Sequence, residues 1–142
     1  LPLDLYTWRS LAYGPGSESL LDIPEFDYRF RKTMTFNGRR VVGVYHSADL
    51  AINNIWVDGV GHIACAFFAV GNRERGNFYA NQMDNMIVDR NIDGRHLRAL
   101  PYVLNEQGGF ADMAIGKGSV SPVAWYVFAK NRFNPMTLRS AD

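Results

Sequence analysis

Asp4, in Leu3-Asp4-Leu5-Tyr6-Thr7-Trp8, and Asp58, in Trp56-Val57-Asp58-Gly59, each fall in the first turn of a stretch that reads as an apolar helix. A helix N-terminus carries partial positive charge, which favours an ionised carboxylate. The two would therefore suit a general base, or an acceptor for substrate hydroxyls, better than a general acid. Asp is also a preferred helix cap, so both have a purely structural reading as well. Asp93, Glu106 and Asp112, in the glycine-rich stretch further on, are the other carboxyls available. Trp56 and Tyr102 stand beside polar loop residues, where an aromatic ring can offer one apolar face and keep its polar tip wet. Trp8 and Tyr45 belong to the same set, whereas Trp125 has only apolar neighbours and reads as core.

Other patterns that could carry chemistry are weaker. Gly59-Val60-Gly61-His62-Ile63-Ala64 fits Gly-x-Gly-x-x-Ala, but a dinucleotide site needs a buried strand before it and a βαβ unit after it. An amphipathic helix follows instead, so the small residues read as a place where two helices approach closely. His46, His62, His96 and Cys65 are too scattered for a metal cluster. His62 and Cys65 share a helix face, but two ligands do not close a zinc site. Neither a metal nor a cofactor is expected, and Cys65 reads as a small buried hydrophobe.

These residues must be positioned by elements that the chain announces in order. Leu3–Tyr13 is apolar around most of a helix and ends at Gly14-Pro15-Gly16. Asp22-Ile23-Pro24-Glu25 opens a second helix, with Phe26, Phe30 and Met34 as its apolar stripe. Asn37-Gly38 is a turn, and Val41–Tyr45 a short strand or hairpin arm. Ser47–Asn54 is loop. Trp56–Gly71 is a helix with no polar face from Ile63 to Val70, closed by Gly71-Asn72. Arg73–Arg90 is a one-faced helix carrying Phe78, Tyr79, Met83, Met86 and Ile87. Residues 91–117 read as a long loop with turns at Asp93-Gly94, Gly108-Gly109 and 116–118, and an extended piece at Leu100–Leu104. Ser119–Met136 is the last helix, with Ser121 as N-cap, Pro122 at its first position and Asn134-Pro135 as its stop.

Helices apolar all round alternate with helices apolar on one face. That order predicts a mainly α fold of stacked αα-hairpins, with a small β-like excursion. The whole would be a partial (α/α) toroid of about three hairpins, since one hairpin takes roughly 40–60 residues. Residues 1–136 form one such domain and 137–142 a frayed tail. Apolar helix flanks left open would be covered by another chain, another copy or a further segment of this one. The start at Leu1, without Met or a leader-like segment, predicts a processed or truncated chain.

The composition supports a buried globular domain: 47% hydrophobic and 20% charged residues, with a net charge of +1. Such a balance supplies no basic field for a nucleic acid backbone. No apolar run reaches the ~20 residues needed to cross a bilayer. A single cysteine allows no internal disulfide and leaves the compartment open.

Four segments, taken together and in order, resemble bacterial (α/α)6-toroid glycoside hydrolase-like proteins. The family's Asp-x-x-Thr-Trp helix start stands here as Asp4-Leu5-Tyr6-Thr7-Trp8, and its Trp-x-Glu-Gly start as Trp56-Val57-Asp58-Gly59. Its Asp-Gly-Gly-Leu-Pro-Tyr loop is represented by Leu100-Pro101-Tyr102. Its Ser-Val-Ala-x-x-Ala-Trp-Tyr-Ile-Phe-Ala helix ending in Phe-Asn-Pro is represented by Ser119 to Phe128 and Phe133-Asn134-Pro135. The chain departs from the pattern in having Asp58 for Glu, Asp93-Gly94-Arg95 with five residues before Leu100, and Ser121-Pro122 in the last helix.

The resemblance implies the C-terminal part of a toroid, a secreted or periplasmic setting, and an oligo- or polysaccharide bound in the cavity. It makes Asp58 and Asp4 the catalytic candidates of a glycoside hydrolase, and Trp8, Trp56, Tyr102 and Tyr45 the sugar-binding ones. Hydrolysis needs two carboxyls in opposite protonation states. The departures leave a non-catalytic binding or assembly subunit as the alternative. A weaker likeness joins Asn105-Glu106-Gln107-Gly108-Gly109-Phe110 to the Gln/Gly-rich turns of terpene-cyclase toroids.

Overall fold

A computed structural model describes residues 1–114 and 117–140, the last two of these by backbone alone. Helix α1 spans Leu3–Tyr13 and stops at Gly14, whose φ of 67° lies in the region that favours glycine. Helix α2 spans Ser19–Phe26. Strands β1 (Arg31–Phe36) and β2 (Arg39–Val44) pair antiparallel, Phe36 opposite Arg39 across Asn37-Gly38. Both turn residues have positive φ, 48° and 74°, as a two-residue hairpin turn requires. Helix α3 (Val57–Ala69) is followed at once by α4 (Arg73–Asp84), whose first turn is capped by the Asn72 side chain. Strands β3 (Val88–Ile92) and β4 (Arg95–Ala99) form a second hairpin about Asp93-Gly94. Helix α5 is Val120–Lys130, and short strands β5 (Phe133–Asn134) and β6 (Arg139–Ser140) pair behind it.

The expected mainly α partial toroid is therefore corrected. The chain is 45% helical and 21% strand, a small mixed α/β domain. Its described strands pair only in twos. The stripe Phe26, Phe30 and Met34 does not belong to one helix. Helix α2 ends at Phe26, Asp27 turns to extended backbone, and Met34 lies in β1. A spacing of four keeps residues on one side of a strand as well as of a helix, so that stripe could not separate the two. The helix expected over Arg73–Arg90 stops at Asp84, and the reading of 91–117 as loop conceals half of the β3–β4 hairpin. The turn expected at 116–118 includes a residue outside those described. The residue at the N-cap position of α5 is Ser119 rather than Ser121, and the helix ends before Asn134-Pro135. The tail pairs through β6 instead of fraying.

Three helices were expected to be enclosed, and one is. Every residue of α3 from Val57 to Phe68 is buried. Helix α1 buries Leu3, Thr7, Ser10 and Leu11 but leaves Leu5, Trp8 and Tyr13 exposed. Helix α5 buries Pro122 and Ala129 and exposes Val123 and Val127. Both flank α3 with one side, so they do not form the inner wall of a ring. An apolar circumference permits enclosure; the number of neighbours decides it.

Glycine sets the closeness of those neighbours. A Cβ on Gly61 would stand 2.5 Å from the Trp125 Cβ, and one on Gly59 would stand 2.8 Å from Leu3 and 2.6 Å from the Trp56 ring. The reading of these glycines as a helix contact holds, and they lie within a helix rather than in a strand-to-helix turn. Buried Glu25 fastens α2 to its surroundings by accepting bonds from Arg31, Arg75 and the Tyr79 hydroxyl. Cys65, 1% exposed in the middle of α3, has its thiol pushed up to about 12 by burial. No described helix is long and apolar enough to cross a membrane.

Gly61→Ala forces α5 away from α3 and should lower stability by about 1–3 kcal/mol. Urea unfolding followed by tryptophan fluorescence measures this, and an unchanged midpoint would refute the close-approach account.

Candidate functional site where three helices begin

The N-terminal ends of α1, α3 and α5 are tied to shared backbone. The Leu3 N–H donates to the His46 carbonyl at 2.8 Å, and the Val57 N–H to the Tyr102 carbonyl at 2.9 Å. The Ser119 N–H donates to the Leu100 carbonyl at 2.9 Å. The Leu100–Leu104 segment, expected to be extended, thus anchors two of the three helix starts, and Val103 bridges to Trp56. Asp4, Asp58 and Ser121 each occupy a first turn at these ends.

Asp58 is 4% exposed. One carboxyl oxygen accepts a bond from the Ser121 hydroxyl, and the other, Oδ1, has no partner among the described residues. Burial raises this carboxyl from 3.8 to about 6, with the Ser121 bond pulling the other way. Sequence reasoning had the sign reversed. The helix dipole contributes roughly 0.3–1 kcal/mol, less than the cost of taking an unpaired charge out of water. Asp4 is half-buried. Burial also raises the Tyr102 hydroxyl, and the charges of Asp58 and Asp4 raise it further, so both carboxyls act on one phenol. The Trp56 indole N–H opposes that rise, although it makes no complete hydrogen bond.

Four rings form a closed circuit beside these carboxyls. The centroids of His46 and Trp56 are 6.4 Å apart, those of Trp56 and Tyr102 6.2 Å, those of Tyr102 and Phe110 5.8 Å, and those of Phe110 and His46 5.5 Å. Steep interplanar angles, 85° and 87° at His46, are the edge-to-face arrangement that aromatic quadrupoles favour. The Phe110 loop is held by Asn54, which is fully buried. Its side chain donates to the Asn105 and Gln107 carbonyls and accepts from the Asn105 and Ile55 N–H groups.

The sequence-derived candidates separate here. Asp4, Asp58, Trp56 and Tyr102 are brought together. Tyr45 is not available to a ligand: it is 0% exposed, lies 4.3 Å behind His46 and donates its hydroxyl to the Gly108 carbonyl. Trp8, 44% exposed, lines a groove with Leu1, Leu5 and Leu20. Its ring also meets His62, which is surrounded by Trp8, Trp56 and Trp125 at 6.0, 5.0 and 4.0 Å. Burial lowers His62 to about 3, so it is a neutral core residue. Asp93, Glu106 and Asp112 are exposed. Ser121, His46, Phe110 and Asn54 were missed. Ser121 had been assigned to capping, and the others are joined to Asp58 only through contacts distant in sequence. No group of three or more metal-ligating side chains occurs among the described residues.

No protein-family model, curated protein or solved structure matches this chain.

The folded-state value of Asp58, about 6, lies above its ordinary 3.8. Its contribution to stability is therefore fully present below about pH 4 and is lost as pH rises through about 6. Asp58→Asn removes the titration. Relative to the native chain, the variant should gain on the order of 2–3 kcal/mol between pH 4 and pH 8. Denaturant unfolding at both pH values tests this, and a pH-independent difference would refute the assigned burial cost.

Proposed function

We propose that this chain binds an oligo- or polysaccharide where its three helices begin, and hydrolyses it with Asp58 as the proton donor. The observation that carries this reading is the buried Asp58 carboxyl, which holds its proton to about pH 6 near Tyr102, a phenol that also feels the charge of Asp4. General acid catalysis works best with an acid whose proton is held near the working pH. Asp58 would protonate the glycosidic oxygen as the bond to the sugar breaks. Asp4 would serve as the second carboxyl, either directing water or attacking the sugar carbon. Trp56 and Tyr102 supply rings against which a sugar's apolar face can pack. The resemblance to toroid glycoside hydrolase-like proteins is what supports a secreted or periplasmic setting.

Binding without turnover is the second reading. It is favoured by the 4% exposure of Asp58 and by the Ser121 hydroxyl on one of its oxygens. Release of reducing ends from a polysaccharide panel separates the two. The enzyme reading expects activity that declines above about pH 6, and a loss of about 100-fold or more in kcat for Asp58→Asn with binding retained. Full activity in that variant would remove Asp58 from the mechanism. Saccharide binding by the native chain with no product would leave the binding reading.

The exposed apolar residues of α1 and α5 support a covering partner, either another chain or a second copy. Native mass spectrometry should show an oligomer; a stable, soluble monomer would contradict that partner.

A further inference from the structure

The outer side of α1 carries the spacing of a coiled coil. Leu5, Trp8 and Ala12 are exposed and recur at intervals of three and four, and Leu1, just before the helix, extends the row by another four. Those are the a and d positions of a heptad, the pattern by which one helix seats its side chains on another. Leu20 of α2 stands beside the row and leaves with it a groove of about 510 Å³. The inner side of α1 is already fixed in the core by Leu3, Thr7, Ser10 and Leu11, so pairing on the outer side has no helix nucleus left to form. Two charges flank the row. Asp4 and Arg9 are five residues apart, about 140° around the helix, which puts one on each side of it. Neither forms an ion pair among the described residues, and Arg9 lies over the Tyr13 ring at 6.0 Å.

We propose that α1 pairs with α1 of a second copy of this chain, the two helices parallel about a two-fold axis that runs along them. Leu5, Trp8 and Ala12 then meet their own counterparts. Asp4 and Arg9 hold the g and e positions, which face each other across parallel helices, so each Asp4 meets Arg9 of the other copy. An antiparallel pair would instead set Asp4 beside Asp4 and Arg9 beside Arg9, which like charges oppose. The second copy thereby brings a cation to one of the two carboxyls assigned to hydrolysis. A neighbouring cation favours the ionised form that the second carboxyl of a glycosidase needs. That role rests on the saccharide reading; the pairing does not.

The test is the mass of the full chain in solution, by sedimentation equilibrium, with every variant shown to be folded by circular dichroism. A dimer is expected. Leu5→Glu and, separately, Arg9→Asp should each weaken it about tenfold or more. Adding Asp4→Arg to Arg9→Asp reverses both charges and should restore it. Ala12→Cys should link the two copies by a disulfide on oxidation, since Cys65 is buried and does not compete. A monomer, a dimer that Leu5→Glu leaves intact, or a reversed pair that stays monomeric would overturn the proposal. So would Ala12→Cys that links only when mixed with Leu1→Cys, the result an antiparallel pair gives. Reducing-end release is measured on the same samples. A dimer that responds as expected, with no release from any polysaccharide, would remove the hydrolase reading and leave the pairing standing; a monomer that releases sugar would do the reverse.

Discussion

Helix α3 is enclosed from Val57 to Phe68, and the other four helices together with β2 and β5 pack against it. Enclosing a helix on every side requires neighbours that approach its backbone closely, and side chains between the axes would prevent that. Gly59 and Gly61 remove the obstacle on two sides, admitting Leu3 of α1 and Trp125 of α5. The apolar side chains fixed this way, Ile63, Phe67 and Phe68 among them, each contribute about 1.5–3 kcal/mol by leaving water. Because the glycines lie in the first turns of α3, the same approach brings Ser121 to Asp58. Packing and site are set by one constraint.

Two opposing effects meet at Asp58. A carboxylate at a helix start gains from exposed N–H groups, and a carboxylate inside protein loses its water. The balance here falls to the second, since among the described residues the Asp58 carboxyl is bonded only by a neutral hydroxyl. A Lys or Arg in place of Ser121 would tip it back. The local sequence Trp56-Val57-Asp58-Gly59 determines that Asp58 is near a helix end. The depth of burial is decided by α5, some sixty residues later in the chain, which is why the sign of its shift could not be read locally.

The same division runs through the fold. Signals that act over a few residues were legible: Asn37-Gly38 and Asp93-Gly94 as turns, Gly14 and Gly71 as helix ends, Val41–Tyr45 as a strand arm. The buried character of α3 was legible because every residue from Ile63 to Val70 is apolar, which leaves that stretch no polar face. What failed depended on context. Phe26, Phe30 and Met34 satisfy both periods. Met86 and Ile87 continue the apolar face of α4 beyond the point at which the chain turns into β3. Tyr45 was grouped with the candidate sugar-binding rings, but the 107–109 turn lies against its hydroxyl. Asp4, Asp58, Trp56 and Tyr102 were found together, while His46 and Phe110 lacked any pattern that would join them before the Asn54 clasp was seen.

The chain's single cysteine lies near the middle of the enclosed helix α3. Only the thiolate form attacks an alkylating or disulfide reagent, and at Cys65 that form is suppressed while water is excluded. Modification must therefore wait for α3 to part from its neighbours, an opening that draws on most of the folding free energy. With no second thiol to confuse the signal, the speed at which Cys65 is consumed is an internal clock for the rarest and largest fluctuation of the molecule.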